Sequence, residues 1–528
     1  MPLKDNTETI LKNRVLVDVA LDPISRKMYL ELDPPSLSDN QGDLDRVLDV
    51  LNKNHAGISC PLGLMNKVSA VLRQANWQAT FTLALFGGQW QVIDVEPGNQ
   101  TTSQFGLAVD IGTTTVVGYL IDLTTGGVLC TAADYNGQIR FGEDILSRIQ
   151  AAGDPLGRQA MQYAVVETLN VIIRRLVGQQ QIDNQHISAV TVGANTTMVH
   201  LLLGLDPERI CMAPYIPLVN RPGYIKASEL GLTVNPEAPL YCLPGVGSYV
   251  GGDIIGGVLA SGMHKKPEVA LFVDIGTNGE MVLGGQEWLT ACSGAAGPAL
   301  EGGVARHGMR AEPGAVYQVR IDQETGRVEY QTVGGQQAVG ICGSGLVDCL
   351  AELLLAGIIN RAGKFKDGRT EFVVVPATET GTGADVTFTQ TDINNIMRTK
   401  GAVNAALEYL LESVGCGMDD IEAFYAAGAF GQYLDLESAV TIGLYPDLPR
   451  EKMIRLGNSS GEGARLALIS NQCRQEAEEL LRSITYFELN ASEAFMNKFV
   501  GSKFLPHTNL DYYPTVKEKL IRRGLVTE

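Results

Sequence analysis

A strand that ends in aspartate and breaks at once into glycine and small polar residues occurs twice in this chain. The two copies are FGLAVDIGTTT at Phe105–Thr115 and VALFVDIGTNGE at Val269–Glu280. In each, a buried apolar run carries an aspartate, Asp110 or Asp274, to the mouth of a tight turn. Glycine lets the backbone turn sharply enough to aim its N–H groups at phosphate oxygens, and the aspartate can hold a hydrated Mg²⁺. One such turn is compatible with an ordinary hairpin. Two, each opening a meander of strands, predict a duplicated α/β domain that closes on a nucleotide from both sides.

Other phosphate-binding designs do not fit. The P-loop needs Gly-x-x-x-x-Gly-Lys before a helix, and no such segment is present. A net charge of −18 leaves no basic excess to displace counterions from a nucleic acid, and it makes any phosphate ligand depend on a metal ion and oriented amides. At 528 residues the chain is too long for a single core. No apolar run reaches the roughly 18 residues of a membrane span, and MPLKDNTETILKN has no apolar signal core, so no membrane partner and a cytoplasmic location are expected. The nine cysteines stand singly with no C-x-x-C, which reads as buried thiols in a reducing compartment and argues against an iron–sulfur cluster in this chain. His200 and His307 lack neighbours at ligand spacing and read as structural.

Four segments follow from the patterning. Residues 1–97 read as a small α+β domain of the middle type, 98–104 as a polar linker, 105–268 as a first lobe and 269–528 as a second. A third motif lies in the second lobe. In IEAFYAAGAFGQYLD (Ile421–Asp435) a strand runs into small residues before a helix, which lets an adenosine lie against the backbone at Gly428 and Ala429.

These three elements resemble the phosphate 1, phosphate 2 and adenosine motifs of the ASKHA superfamily, whose duplicated actin-like, ribonuclease H-like ATPase fold is the fold class expected here. Further segments resemble a narrower family, the reductive activators of corrinoid enzymes. They are DYNGQIRFGEDILSRI (Asp134–Ile149), VGANTTMVHLLLGLDP (Val192–Pro207), SGAAGPALEGG (Ser293–Gly303), VGICGSGLVD (Val339–Asp348) and IGLYPDLP (Ile442–Pro449). The segment LELDPPSLSDNQGDLDRVL extends the likeness into the first domain. The resemblance implies an ATPase that uses MgATP to return an inactive Co(II) corrinoid protein to Co(I), and it suggests a homodimer. Typical members carry a [2Fe–2S] ferredoxin-like domain ahead of the matched segment, and this sequence begins where that domain should have ended. The electron donor is therefore expected to be a separate protein such as a ferredoxin, unless the chain is a fragment or remodels its partner without passing the electron.

The residues expected to act follow from the motifs. Asp110 and Asp274 organise Mg²⁺ and its waters. Gly112, Thr113, Thr114 and Thr115 cradle one side of the triphosphate of ATP, and Gly276, Thr277, Asn278 and Gly279 the other. Glu280 either orients a water or is a solvated strand residue. Asp144 is a candidate general base or a carboxylate satisfying a helix N-terminus. Lys400 and Asn404 share one helix face and either touch the nucleoside or lie on an exposed surface. The alternatives to a corrinoid activator are a small-molecule kinase of the same superfamily, which would phosphorylate an alcohol or carboxylate, and a nucleotide-gated binding module.

Overall fold

The computed structural model describes residues 17–53, 57–276, 279–294, 300, 302–428, 434–489 and 492–527. The chain forms two compact units, one of residues 1–260 with 459–483, the other of 261–458 with 484–528.

The first unit begins with an antiparallel sheet of β1 (Ser25–Glu31), β2 (Gln78–Phe86) and β3 (Gln89–Pro97). Helices Asp43–Leu51 and Leu62–Gln74 cover it, with Val47, Leu51, Val68, Leu72, Phe81 and Leu83 as its core. Alternation along the strands and the glycine turn at Gly87 and Gly88, both at positive φ, account for the hairpin. This segment is tied to the rest of its unit by Ile24 N–H to Leu468 O at 3.0 Å and Lys27 N–H to Gln104 Oε1 at 2.8 Å.

The unit's main sheet has the order β6-β5-β4-β7-β9-β8, where β4 is Phe105–Ile111, β5 Thr115–Asp122, β6 Val128–Tyr135, β7 Ile187–Ala194, β8 Tyr224–Lys226 and β9 Pro239–Cys242. Strands β4, β5 and β6 form the antiparallel meander, and β7 and β9 add in parallel on the far side of β4. Every residue of β7 is buried, as a central parallel strand covered on both faces requires. Helix Pro155–Gln180 packs on β5 and β6, and helix Ser459–Ile469 on β4 and β7.

The second unit repeats the pattern. Strands β10 (Ala270–Ile275), β11 (Gly279–Gly284) and β12 (Leu289–Gly294) form an antiparallel meander, strands Ala423–Ala427 and Met453–Gly457 add in parallel beside β10, and Ile484–Phe487 pairs in parallel with β12. Its core gathers around Leu271, Val273, Leu350, Phe388, Leu410 and Phe424. The duplication expected from the two turns is thus present as repeated topology.

The division of the chain differs from the expected boundaries. The first unit ends at Ala260 rather than at 268, and Ser459–Ser483, assigned to the second lobe from the sequence, belongs to the first unit. The reason is local packing. Thr191 Oγ1 donates to Ala464 O at 2.8 Å, and a Cβ on Gly463 would stand 2.1 Å from Gly256 Cα, so helices Gly252–Ser261 and Ser459–Ile469 cross backbone against backbone. Gly463→Ala is expected to destabilise the first unit by about 1–3 kcal/mol through overpacking. Gly178→Ala has the opposite sign. Gly178 lies in helix Pro155–Gln180 with nothing within 4 Å of its Cβ position, so the change should stabilise by about 0.5–1 kcal/mol. Denaturant midpoints of the two variants check both directions.

Candidate nucleotide site

The first turn is built from carbonyls held by protein donors. Gly112 O accepts from Asn136 Nδ2 at 2.9 Å, Thr113 O from Arg148 Nη2 at 2.6 Å, and Thr114 O from Asn136 N–H at 2.9 Å. Gly112 N–H closes the turn on Thr115 O at 2.9 Å. In a trans peptide the C=O and the following N–H point opposite ways, so holding these three carbonyls turns the N–H groups of Thr113, Thr114 and Thr115 away from the donors that hold them. Arg148 is fully buried, and burial pulls its guanidinium down to about 10, still protonated at neutral pH. A fixed positive charge behind such a turn adds to the field of its amides.

Neighbouring loops converge on the same place. Asn195 caps helix Thr196–Leu202 through its Oδ1 and reaches Thr113 Oγ1 with its Nδ2 at 3.4 Å. Thr196 Oγ1 donates to Gly247 O at 2.6 Å, and Gly251 packs so closely that a Cβ there would lie 2.6 Å from Asn195 Cα. Asp253 follows, half-buried in the first turn of helix Gly252–Ser261. Burial, and then the nearby Asp110 charge, push its carboxyl up to about 7.

In the second unit Asp274 sits at the end of β10, directly across from Glu280 on β11. Glu280 is 7% exposed and accepts from Ser293 Oγ at 3.3 Å, so the solvated-strand reading of Glu280 is set aside. Gly428 takes φ +95° beside Asp274, and a Cβ there would lie 2.6 Å from Asp274 Oδ1. Gly276 follows β10 with open space around its Cβ position, and Gly279 begins β11. Thr277, Asn278 and Ala429 lie outside the described residues.

Three expected site residues are used otherwise in the fold. Asp144 is exposed and caps helix Ile145–Ala151, accepting from Ser147 N–H at 2.8 Å, which is the helix-terminus reading. Lys400 and Asn404 lie on helix Gln390–Val414 but are buried. Lys400 Nζ donates to Phe504 O at 2.7 Å and also to Pro506 O, while Asn404 Nδ2 donates to Gly443 O at 3.2 Å and to Tyr513. Neither side chain is on an exposed face. Both hold the C-terminal segment to the core.

Burial lowers Lys400 to about 7, against the opposing pull of Glu408, with Arg361 adding to the depression. Below pH 7 the ammonium is charged in both folded and unfolded states, and its burial penalty stands in full. Between 7 and the unfolded value of about 10.4 only the unfolded chain holds the proton, so stability rises with pH across that window. The stability difference between wild type and Lys400→Met should therefore climb from pH 7 to 10 and be flat below pH 6. Parallel curves in urea unfolding would contradict the assignment.

Sequence reasoning did not single out Asp253, Asn195, Asn136 or Arg148. Asp253 was visible as the one charge in the apolar run Val250–Met263, at the point where a glycine-rich loop enters a helix. Arg148 was visible as a cation amid the apolar spacing of Ile145 and Ile149.

A repeated three-stranded meander with parallel strands beside its first strand, each copy ending that first strand in an Asp-Ile-Gly turn, defines an ASKHA-type nucleotide-binding protein. Residues 268–517 match the profile described as the C-terminal domain of RACo, the ASKHA domain, residues 105–266 the RACo middle region, and 16–102 the RACo linker region. The chain belongs to the RACo family of reductive activators of corrinoid proteins. The expected small domain at 1–97 is therefore the family's linker region, not its middle one.

Two relatives and one solved structure are similar over most of the chain. Corrinoid activation enzyme RamQ of Eubacterium limosum is 33% identical over 430 residues, 78% of this chain and 72% of the relative. The [Co(II) methylated amine-specific corrinoid protein] reductase of Methanosarcina barkeri is 26% identical over 427 residues, 75% of this chain and 76% of the relative. A solved reductive activator for corrinoid, iron–sulfur protein superposes with a TM-score of 0.87 at 41% identity, covering 94% of this chain and 81% of that one.

Proposed function

We propose that this protein is an ATP-dependent reductive activator that returns a Co(II) corrinoid protein to Co(I), with the electron supplied by a separate low-potential donor such as a ferredoxin. The observation that carries the proposal is the pair of Asp-Ile-Gly turns within a chain that matches the RACo family from 16 to 517. The names of the relatives support the corrinoid substrate. The single placement of the cysteines supports a separate donor.

In this reading Thr113, Thr114 and Thr115 offer their N–H groups to the phosphates, backed by Arg148. Asp110 and Asp274 hold Mg²⁺ through water, and the carboxylate crowding of Asp110 by Asp253 fits a position meant for a cation. Mg²⁺, when bound, neutralises and aligns the phosphate oxygens. Energy is needed because each 59 mV of unfavourable potential shifts a one-electron equilibrium about tenfold. Nucleotide binding and hydrolysis supply it by favouring a state of the complex in which cobalt accepts the electron.

Phosphate release tests the reading. Hydrolysis of MgATP should rise when Co(II) corrinoid protein is added and fall back once the cobalt is Co(I). Transfer of the γ-phosphate to an added alcohol or carboxylate, with no response to corrinoid protein, would make the chain a kinase instead.

A further inference from the structure

Two stretches of the second unit reverse the charge of the chain around them. Residues 361–369 and 498–523 together hold ten lysines and arginines against three carboxylates, in a protein whose net charge is −18. The fold brings the two together. Arg361 Nε donates to Leu505 O at 3.0 Å and its Nη2 to His507 O and Thr508 O, so the loop that starts at Arg361 is fastened to the C-terminal segment. Arg523 Nη1 donates to Leu355 O at 3.0 Å, and Lys366 Nζ stands 3.5 Å from the Cβ position of nearby Gly357. Lys364 Nζ reaches Asn394 Oδ1 at 3.3 Å on helix Gln390–Val414, and Arg398 follows Asn394 by one turn on the same helix face.

Ion pairs divide these cations into two sets. Lys498, Lys517, Lys519, Arg522 and Arg369 are paired with Glu412, Asp511, Glu437, Glu518 and Asp367 in turn. Lys364, Lys366, Arg398, Lys503 and Arg523 are exposed, and among the described residues none of them, nor Arg361, has a carboxylate partner. On one flank the hairpin that sends Gln323 Nε2 to Leu355 O at 3.1 Å carries Asp322 and Glu324, which mark the edge of the patch. Phe504, beside Lys503, is 40% exposed and adds an aromatic contact of the kind enriched in interfaces. Like charges gathered on a surface repel one another, and an oppositely charged partner relieves the repulsion. A nucleic acid or an anionic membrane spreads its charge far beyond so small a patch, and the surrounding acidic chain opposes it. A small protein can set one acidic face on the patch and keep the rest of itself more than a Debye length of about 10 Å from the other charges.

We infer that this patch is the docking surface for the electron donor, a small acidic protein that carries a low-potential one-electron centre. The inference rests on the reading above in which the donor is a separate protein. In the step it serves, the donor's centre is oxidised by one electron as Co(II) is reduced to Co(I), and no proton or group is transferred. The cations act on encounter with the donor, so they set how much donor is needed and not the rate once it is bound.

The test follows Co(I) formation by absorbance, with the full chain, MgATP, Co(II) corrinoid protein and a titration of a reduced, acidic ferredoxin. The double variants are Lys366→Glu with Arg523→Glu, and Lys364→Glu with Arg398→Glu. Lys53→Glu, at an exposed lysine of the first unit, controls for net charge. Each double variant should raise the KM for ferredoxin about tenfold or more, with kcat at saturating donor within about twofold of wild type. Raising NaCl from about 50 to 300 mM should raise the wild-type KM and shift that of the double variants much less. Phosphate release stimulated by Co(II) corrinoid protein, measured without donor, should be unchanged in every variant and shows that each is folded. A ferredoxin KM that rises no more in the double variants than in Lys53→Glu would overturn the inference. So would loss of corrinoid-stimulated phosphate release at an unchanged ferredoxin KM, which would give the patch to the corrinoid protein. Wild-type protein that releases phosphate but forms no Co(I) with reduced ferredoxin would remove the separate-donor reading and the inference with it, whereas normal wild-type reduction with unaffected double variants rejects the inference alone.

Discussion

Asp110→Ala is expected to lower MgATP hydrolysis by about 10²–10³-fold, the loss of roughly 2.7–4 kcal/mol of preorganised electrostatic stabilisation that removing one such group produces. The size of the effect follows from where the residue stands. Asp110 ends a strand in the middle of the sheet, paired on one side with Val117 and on the other with Gly193, so its position is fixed by backbone hydrogen bonding rather than by its own side chain. The adjoining turn is held by Asn136 and Arg148, which the substitution does not touch. The variant should therefore fold, keep its turn and lose the metal. Its Mg²⁺ dependence separates this account from a structural one: wild-type binding of ATP should tighten with Mg²⁺, and that of Asp110→Ala should not. Asp274→Ala should behave alike. On the proposed reading, in which both carboxylates serve one metal, the double variant should fall well short of the product of the single losses. Unchanged hydrolysis in either single variant would remove that aspartate from the site.

The second large effect is expected at a residue with no side chain. Gly428 holds φ +95°, a region that a β-branched residue scarcely enters, and any Cβ there collides with Asp274 Oδ1 at 2.6 Å and Ile275 O at 2.7 Å. Gly428→Val should displace Asp274 and cost about 10²-fold or more in hydrolysis, comparable to removing the carboxylate itself. Gly428→Ala should fall between valine and wild type. A double-mutant cycle with Asp274→Asn decides the mechanism. Once Asp274 has lost its charge, the further penalty for Gly428→Val should largely vanish, giving a coupling energy of about 2–3 kcal/mol. Full additivity would mean that Gly428 acts on the fold and not through Asp274.

How much of this was legible in the sequence depended on whether the signal was local. The two Asp-Ile-Gly turns, their meanders and the strand into Gly428 are short-range patterns, and strands at those places follow from runs of buried residues ending in glycine. Destination is a different matter. The helix Ser459–Ile469 reads as a small-residue helix from its sequence, but nothing in its own composition says that it packs on β4 and β7 and not on the unit it follows in the chain. That choice is encoded in matches between distant positions, such as Gly463 with Gly256, two glycines about two hundred positions apart, and Thr191 with the Ala464 carbonyl.

Polar residues show the same limit. Lys400 and Asn404 have the spacing of a surface pair, but Ile393, Ile396, Val403 and Leu407 on their helix are all buried, and a helix enclosed on most of its circumference buries its polar residues too. Their hydrogen-bond acceptors, Phe504 O and Gly443 O, are remote in sequence, so the partners that make burial tolerable could not be read. Asp144 was legible because an N-cap and its partner, Ser147, are three residues apart. Asp253 was hidden for the reverse reason. Its neighbour Asp110 comes from a different strand, and in the sequence it is a lone charge in a glycine-rich apolar run.

The central claim is that MgATP held by these turns makes cobalt reduction possible, and the absorption spectrum of a Co(II) corrinoid partner tests it most directly. The partner, a reduced low-potential ferredoxin and this protein are mixed, and MgATP is added last. The account predicts that the Co(I) spectrum grows in only after MgATP, and that it fails to appear with Asp110→Ala under the same conditions. Co(I) appearing at the same rate without MgATP, or at the wild-type rate with Asp110→Ala, would contradict it.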